Sequence, residues 1–158
     1  MDYIDVIIRL GLSILLCGMI GLERKLYKKP AGFRTNVLVG MGSTLLMIIA
    51  LNILIEFNDA NTVDITRLAG QIVTGIGFLG AGAIIQGRGS VHGMTTAATI
   101  WVVAAIGIAV GLGFYLESII ATILTLAVLV ILGRIEHRFE LYVDHDKDNQ
   151  NNERESNL

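Results

Sequence analysis

Apolar residues dominate five stretches of this chain, at 6–22, 37–55, 68–85, 96–112 and 116–132. Each stretch contains 17 to 19 residues. A helix rises about 1.5 Å per residue, so each is long enough to cross most of a hydrocarbon core about 30 Å thick. Short polar connections separate the stretches. The pattern therefore predicts an all-α protein, a bundle of five transmembrane helices embedded in a lipid bilayer.

The composition agrees with this prediction. Apolar residues make up 53% of the 158 residues, charged residues 16%, and the mean hydropathy is +0.66. A soluble chain of this size needs a more polar exterior. The first stretch is expected to remain as a helix, because its acidic start and the lack of a small-x-small motif do not fit a cleavable signal peptide. Cys17 is the one cysteine, which excludes an intramolecular disulfide and a cysteine metal cluster.

The charges of the connections predict an orientation. The first connection, 23–34, carries five Lys and Arg residues against one acid, whereas the second, 56–67, carries three acids against one Arg. Arg88 lies in the third connection, and Arg134 and Arg138 follow the last stretch. Lys and Arg favour the cytoplasmic side in short loops. We therefore expect the N-terminus outside and the C-terminus in the cytoplasm.

The polar end of the chain predicts a division into two parts. Residues 1–143 hold the five stretches, whereas residues 144–158 contain one apolar residue. Such a composition is typical of a disordered tail, here on the cytoplasmic side. His145 lies between two aspartates, which leaves open a divalent ion as well as simple solvation.

Small residues concentrate in the third and fourth stretches. In lipid, small residues allow helix backbones to approach closely and so favour packing. We predict packing through six glycines: Gly75, Gly77, Gly80, Gly82, Gly107 and Gly111. The third helix has small residues on two faces, so it is expected to be the central one. A phosphate-binding glycine loop is disfavoured because no Lys-Ser/Thr pair follows.

Polar residues gather where the helices are expected to meet the cytoplasm. The candidate cytoplasmic cluster is Glu23, Arg24, Arg34, Thr35, Asn36, Thr95 and Thr96. Thr35 and Thr95 are expected to cap the helices that they precede. Glu23 is the carboxylate of the set, with Arg24 and Arg34 as candidate partners. The cluster is either an ion pair that fixes helix ends or a site for an ion, a lipid headgroup or a partner.

A second candidate cluster is expected at the outer face, composed of Asp5, Arg9, Gln71 and Glu117. Asp5 and Arg9 are four residues apart on one helix and are therefore placed to pair. Arg9 either extends its side chain toward the outer interface or joins a polar pocket with Gln71 and Glu117.

No set of residues suggests catalysis. Cys17 has no histidine in its helix, and His92, His137 and His145 lie in predicted loops or the tail. Neither a Ser-His-Asp set nor a metal motif is apparent, so we predict no catalytic residues, no resident metal, no cofactor and no enzymatic activity. No nucleic-acid partner is expected.

Four motifs follow one another along the chain: GLER at 21–24, AGFRTN at 31–36, QIVTGIGFLGAG at 71–82 and GMTTAATIW at 93–101. In this order and spacing they resemble the motifs of the MgtC/SapB family of bacterial inner-membrane proteins. The resemblance covers roughly residues 5–135. It implies a multi-pass protein linked to adaptation to low magnesium and, in the virulence-linked branch, restraint of a membrane ATPase or ATP synthase. The polar tail after Tyr142 and the threonine at position 95 are closer to the short, SapB-like members, which lack a C-terminal cytoplasmic domain.

Three functions remain open at the level of sequence. The first is a non-enzymatic regulator or accessory factor in magnesium homeostasis that contacts another integral membrane protein or a second copy of itself. The alternative is a Mg²⁺ transporter or channel component, and the third is a structural or lipid-binding protein. No stretch has an ionisable residue near its midpoint, where ion-coupled transporters commonly place one. Since Mg²⁺ usually binds at least one carboxylate, the regulator is favoured, and Mg²⁺ stays open as a ligand.

Overall fold

A computed structural model describes residues 2–57, 64–87 and 90–155, with side chains at 2–56, 64–86 and 90–135. Contacts divide the chain into two units, Met1–Ile123 and Leu124–Leu158. The predictions that concern Arg88 and the side chains of His137, Arg138 and His145 lie outside the described residues.

Helices account for nearly all of the described chain, which confirms the all-α fold. They are α1 (Tyr3–Leu26), α2 (Phe33–Phe57), α3 (Ile65–Ala83), α4 (Met94–Leu112) and α5 (Tyr115–Glu155). Four of them contain segments long and apolar enough to cross a membrane: Tyr3–Leu26, Phe33–Glu56, Met94–Leu112 and Tyr115–Ile135. α3 is as long as α4 but is less apolar, since it carries Arg67, Gln71 and several glycines.

The third helix ends earlier than the hydrophobic pattern predicts. α3 stops at Ala83, and Ile84 is extended, with φ −92° and ψ 120°. An antiparallel pair of short strands follows, β1 (Ile85–Gly87) and β2 (Ser90–His92). β-Branched residues such as Ile85 suit a strand as well as a membrane helix, so the pattern alone did not separate the two.

Gly93 connects these strands to α4 in a way that requires glycine. Its φ is +91°, in the left-handed region, and a Cβ built there would lie 2.0 Å from the carbonyl oxygen of Ala83. Any larger residue would meet both a strained backbone and a clash. The end of α3 and the start of α4 are thereby held together.

α3 begins at a side-chain cap. The carboxylate of Asp64 accepts hydrogen bonds from the Thr66 hydroxyl at 2.6 Å and from the Arg67 backbone N–H at 3.0 Å. Because these donors favour the charged form, they lower the pKa of Asp64 below its usual value.

α4 and α2, rather than α3, form the centre of the first unit. α4 buries nine residues, among them Val103, Gly107 and Gly111, whereas Ile72 and Gly80 are the described buried residues of α3. The expectation that the third helix is central is therefore wrong. Among the contacts between helices, the glycines of α4 bring its backbone closest to that of α2. α3 lies against α4 at Gly80, and most of its other residues are exposed or half-buried.

α5 begins in the first unit and continues into the second. In the first unit, Ser118 and Thr122 are buried, and each hydroxyl donates to the carbonyl four residues earlier, at 2.6 Å and 2.8 Å. In the second unit the helical backbone reaches Glu155, through the segment where the composition predicts disorder. The division at residue 143 stays a prediction.

Candidate functional site

A charged pair is buried near the end of α1. Glu23 is 7% exposed and Arg24 4% exposed. Arg24 Nη2 donates to Glu23 Oε1 at 2.6 Å, and Arg24 Nε donates to Glu23 Oε2. The planar guanidinium engages both carboxylate oxygens, an arrangement that gives strong, directional hydrogen bonds. Of the two partners considered for Glu23, the structure pairs it with Arg24.

Asn36 fastens the start of α2 to the loop before it. Its side chain is fully buried, and Nδ2 donates to the carbonyl oxygens of Ala31 at 2.5 Å and Gly32 at 2.9 Å. Ala31 has a φ of +53°, an uncommon conformation for a residue with a Cβ. The two hydrogen bonds stabilise this turn. Oδ1 of Asn36 is buried and has no described partner.

Gly21 lets α1 lie directly against this first turn of α2. A Cβ at position 21 would come within 2.8 Å of Phe33 Cα and 3.1 Å of Asn36 Cβ. Arg24 is three residues further along α1, on the same helix face as Gly21. The ion pair and Asn36 are thus held at the same end of the α1–α2 pair.

Two contacts fix the antiparallel register of α1 and α4. Cys17 Sγ donates to the Val103 carbonyl at 3.8 Å. Eight residues earlier on α1 and eight later on α4, Arg9 Nη1 donates to the Gly111 carbonyl at 2.5 Å. Seven residues after Cys17 on α1 is Arg24, and seven residues before Val103 on α4 is Thr96. This register therefore places the Glu23–Arg24 pair level with Thr96, which is buried.

α2 runs parallel to α4. The Thr44 hydroxyl donates to the Gly107 carbonyl at 2.8 Å. Eight residues earlier on both helices lie Asn36 and Thr99, and both are buried. Three helices therefore bring five buried polar residues to one level, which we name the buried polar layer: Glu23, Arg24, Asn36, Thr96 and Thr99.

The remaining members of the predicted cytoplasmic cluster are exposed. Arg34, Thr35 and Thr95 lie outside the buried polar layer. The predicted caps at Thr35 and Thr95 are wrong. α2 already begins at Phe33, and the residue before α4 is Gly93, which makes no side-chain cap hydrogen bond. Both helices start earlier than the apolar pattern suggests because polar first turns are tolerated at a helix end.

The six predicted packing glycines occupy different environments. Gly107 and Gly111 face α2: a Cβ at Gly107 would lie 2.3 Å from the Gly40 carbonyl oxygen, and one at Gly111 would lie 2.6 Å from Met47 Cβ. A Cβ at Gly80 would lie 3.7 Å from Ala97 Cβ, which is an ordinary contact distance. Open space surrounds the others: Gly75, Gly77 and Gly82.

The outer cluster is not brought together. Asp5, Gln71 and Glu117 are exposed, and in the described chain none of them bonds to Arg9. The predicted Asp5–Arg9 pair is therefore wrong. Arg9 instead donates to the Gly111 carbonyl, and its guanidinium lies over the Tyr115 ring, 5.9 Å from the centroid. The last carbonyls of a helix lack intrahelical donors and carry partial negative charge, which accounts for this choice.

The motifs that contain these residues agree with a comparison against known families. A family model described as the MgtC family matches residues 10–138. The chain belongs to the MgtC family. Together with the four apolar helices, this makes it a multi-pass membrane protein.

Curated relatives in the MgtC family come from several bacteria. The chain is 44% identical over 136 residues, 85% of its own length and 63% of the relative's, to "Putative magnesium transporter YhiD" of Escherichia coli K12. It is 39% identical over 117 residues to protein SapB of Bacillus subtilis (72% of this chain, 50% of SapB) and 40% identical over 120 residues to protein MgtC of Brucella abortus (76% and 48%). The chain thus spans about half to two thirds of the length of these relatives. No solved structure matches it.

The MgtC family match includes the whole buried polar layer and begins after Arg9. The sequence singled out Asn36, but the role of its amide in fixing the loop had no signal in the pattern. The contacts of Arg9 with Gly111 and of Thr44 with Gly107 also join residues far apart in the chain, so helical spacing gave no indication of them.

Proposed function

We propose that this chain is a non-enzymatic regulator or accessory factor in magnesium homeostasis, located in a bacterial inner membrane. It acts by contacting another integral membrane protein or a second copy of itself. Membership of the MgtC family supports the link to magnesium, and bacterial relatives support the location.

The uncovered surface of α3 is the observation that carries this proposal. Gly70, Gly75, Gly77 and Gly82 have nothing within 4 Å of the position of a Cβ. An apolar groove of about 530 Å³ runs between α2 and α3, with Gly42 and Gly75 in its walls. In a bilayer such small-residue surfaces favour close contact with another helix.

We further propose that α3 is the fifth span. Its 19 residues correspond to about 28 Å of helix, close to the thickness of the hydrocarbon core. A partner helix against its glycines would shield Gln71 and the exposed backbone. The N-terminus then lies outside and the C-terminus in the cytoplasm, in accordance with the charges of the loops.

Transport of Mg²⁺ is the second candidate, and the name of the E. coli relative favours it. The buried polar side chains of the helices give less support to Mg²⁺ transport. The buried polar side chains within the described helices α1, α2 and α4 include the hydroxyls of Ser13, Ser43 and Thr44, whereas Mg²⁺ usually requires carboxylates. The buried carboxylate of Glu23 is already engaged by Arg24.

The regulator is tested by placing a bulky residue on the open face of α3. Gly77→Leu should preserve expression and thermal stability, because its site is empty within the chain, but should abolish growth at low magnesium and the recovery of a crosslinked partner or second copy. Gly11→Leu is the matched control, since Gly11 of α1 also faces open space. Normal growth and crosslinking of Gly77→Leu would contradict the proposal.

Reconstitution separates the two candidates. Purified chain in vesicles should give no Mg²⁺ flux above that of empty vesicles, measured with an entrapped magnesium dye. Flux that Gly77→Leu leaves unchanged would favour the transporter instead.

A further inference from the structure

Four cations surround the connection between α1 and α2, and none of them has an acidic partner among the side chains that the structure describes. Lys25, Lys28, Lys29 and Arg34 are exposed, and none forms an ion pair with a described residue. The acid nearest to them in the sequence, Glu23, is buried and bound by Arg24. Within the described part of the chain, the pairing of Glu23 with Arg24 therefore leaves the positive charges of these four residues uncompensated.

The connection is held in a defined shape. The backbone N–H of Lys28 donates to the Lys25 carbonyl at 3.1 Å, and that of Lys29 donates to the Arg24 carbonyl at 2.9 Å. Asn36 holds the carbonyls of Ala31 and Gly32, as described above. A surface that is already ordered loses little conformational freedom when it binds.

The shape also brings both ends of the connection together. A Cβ at Gly32 would lie 3.6 Å from Lys25 Cβ, so the chain folds back against the stem of Lys25. Arg34 is two residues beyond this contact. The charges of α1 and of the start of α2 thus belong to one surface, which we name the basic loop, residues 25–34.

Two aromatic side chains lie among these charges. Tyr27 is 49% exposed and Phe33 36% exposed. Aromatic residues of this kind are enriched at the boundary between hydrocarbon and headgroups, which is where the ends of apolar helices lie. The basic loop therefore faces the headgroup region and has the charge opposite to that of anionic phospholipids.

We infer that the basic loop binds the phosphate-bearing headgroup of anionic phospholipids. Clusters of four or more basic residues beside a membrane helix attract such lipids. The arginine adds a planar fork that suits phosphate geometry. This inference needs the chain to be in a membrane but is independent of any role in magnesium homeostasis.

The test uses the full chain reconstituted in phosphatidylcholine vesicles with a trace of spin-labelled phosphatidylglycerol or spin-labelled phosphatidylcholine. The fraction of motionally restricted label gives the relative affinity for the two lipids. Lys29→Gln should reduce the preference for phosphatidylglycerol about fivefold at low salt, since one basic residue near the surface contributes on the order of 1 kcal/mol. Lys28→Gln with Lys29→Gln should reduce it further, and Lys29→Arg should retain it.

Arg67→Gln is the matched control because it removes an exposed cation from the first turn of α3, outside the basic loop. It should leave the preference unchanged, and all variants should keep the wild-type unfolding temperature. Adding 0.5 M salt should weaken the wild-type preference, whereas inorganic phosphate at constant ionic strength should not remove it. A wild-type chain without preference, an equal loss in Arg67→Gln, or full displacement by inorganic phosphate would overturn the inference. None of these outcomes depends on the growth phenotype.

Discussion

Single residues in this protein show how polar groups are accommodated among apolar helices. Three polar side chains at helix contacts have close partners: Glu23 binds Arg24, the Asn36 amide nitrogen donates to two loop carbonyls, and Arg9 donates to the Gly111 carbonyl. Leaving such a group without a partner among apolar helices would cost more free energy than a typical hydrogen bond contributes to folding in water. Sequence spacing identified Glu23 and Arg24 because they are neighbours. It failed for Arg9 because its partner lies 102 residues away.

Substitutions of Arg9 and Asp5 distinguish the observed contact between Arg9 and the Gly111 carbonyl from the Asp5–Arg9 pair that the sequence predicts. Arg9→Met should lower the free energy of unfolding by about 1–3 kcal/mol, because it leaves the Gly111 carbonyl without its charged donor. Asp5→Asn should change it by less than about 0.5 kcal/mol, as is usual for an exposed residue without partners. Unfolding in detergent, followed by circular dichroism, measures both. Equal losses would instead support an Asp5–Arg9 pair.

At the scale of the helices, the hydrophobic pattern located each helix but not its ends. α1 extends from Tyr3 to Leu26, beyond the apolar stretch at 6–22, because backbone hydrogen bonds continue through polar terminal turns. α3 ends before Ile85 because of the left-handed glycine at 93 and the strand pair, neither of which alters hydropathy. Which glycines lie against another helix depends on three-dimensional contacts. Of the six predicted from spacing, Gly107 and Gly111 have the closest backbone neighbours.

Gly107→Ala should disrupt the α2–α4 contact. The added methyl group would lie 2.3 Å from the Gly40 carbonyl oxygen, and both atoms belong to helix backbone that cannot move independently. We expect a loss of about 1–3 kcal/mol in unfolding free energy, as for other overpacked sites. Gly11→Ala, in open space on α1, should be neutral or stabilising by up to about 1 kcal/mol, because alanine favours the helix. Similar stability of both variants would contradict the observed packing.

For the whole molecule, the sequence predicted the all-α class, because length and hydropathy are sufficient for that. Of the five predicted spans, four coincide with described helices that are apolar enough to cross a membrane. The sequence could not predict that α2 and α4 form the centre of the first unit, since hydropathy does not reveal which apolar helices contact one another. The buried polar layer was predicted only in part. All of its members except Thr99 belong to the candidate cytoplasmic cluster, but three exposed residues were grouped with them because helical ends alone do not reveal which side faces inward.

The proposed orientation places Tyr3 and Lys28 on opposite sides of the membrane. In a Cys17→Ser background, Tyr3→Cys should react with a membrane-impermeant maleimide in intact cells, since Tyr3 is 92% exposed. Lys28→Cys should react only after the inner membrane is permeabilised. In every measurement the outer membrane is made permeable, so that the reagent reaches the outer side of an intact inner membrane. Labelling is measured by a gel shift. Reaction of both cysteines in intact cells would refute the orientation.

The neighbouring positions of Glu23 and Arg24 have a consequence for assembly. Since the carboxylate and its guanidinium partner are consecutive residues of one helix, they neutralise each other without any contribution from later segments. The charges of this pair are therefore compensated whether or not the later helices are in place, whereas Arg9 depends on α4 for its partner. The first hairpin then assembles around a neutral dipeptide rather than around two separate ions.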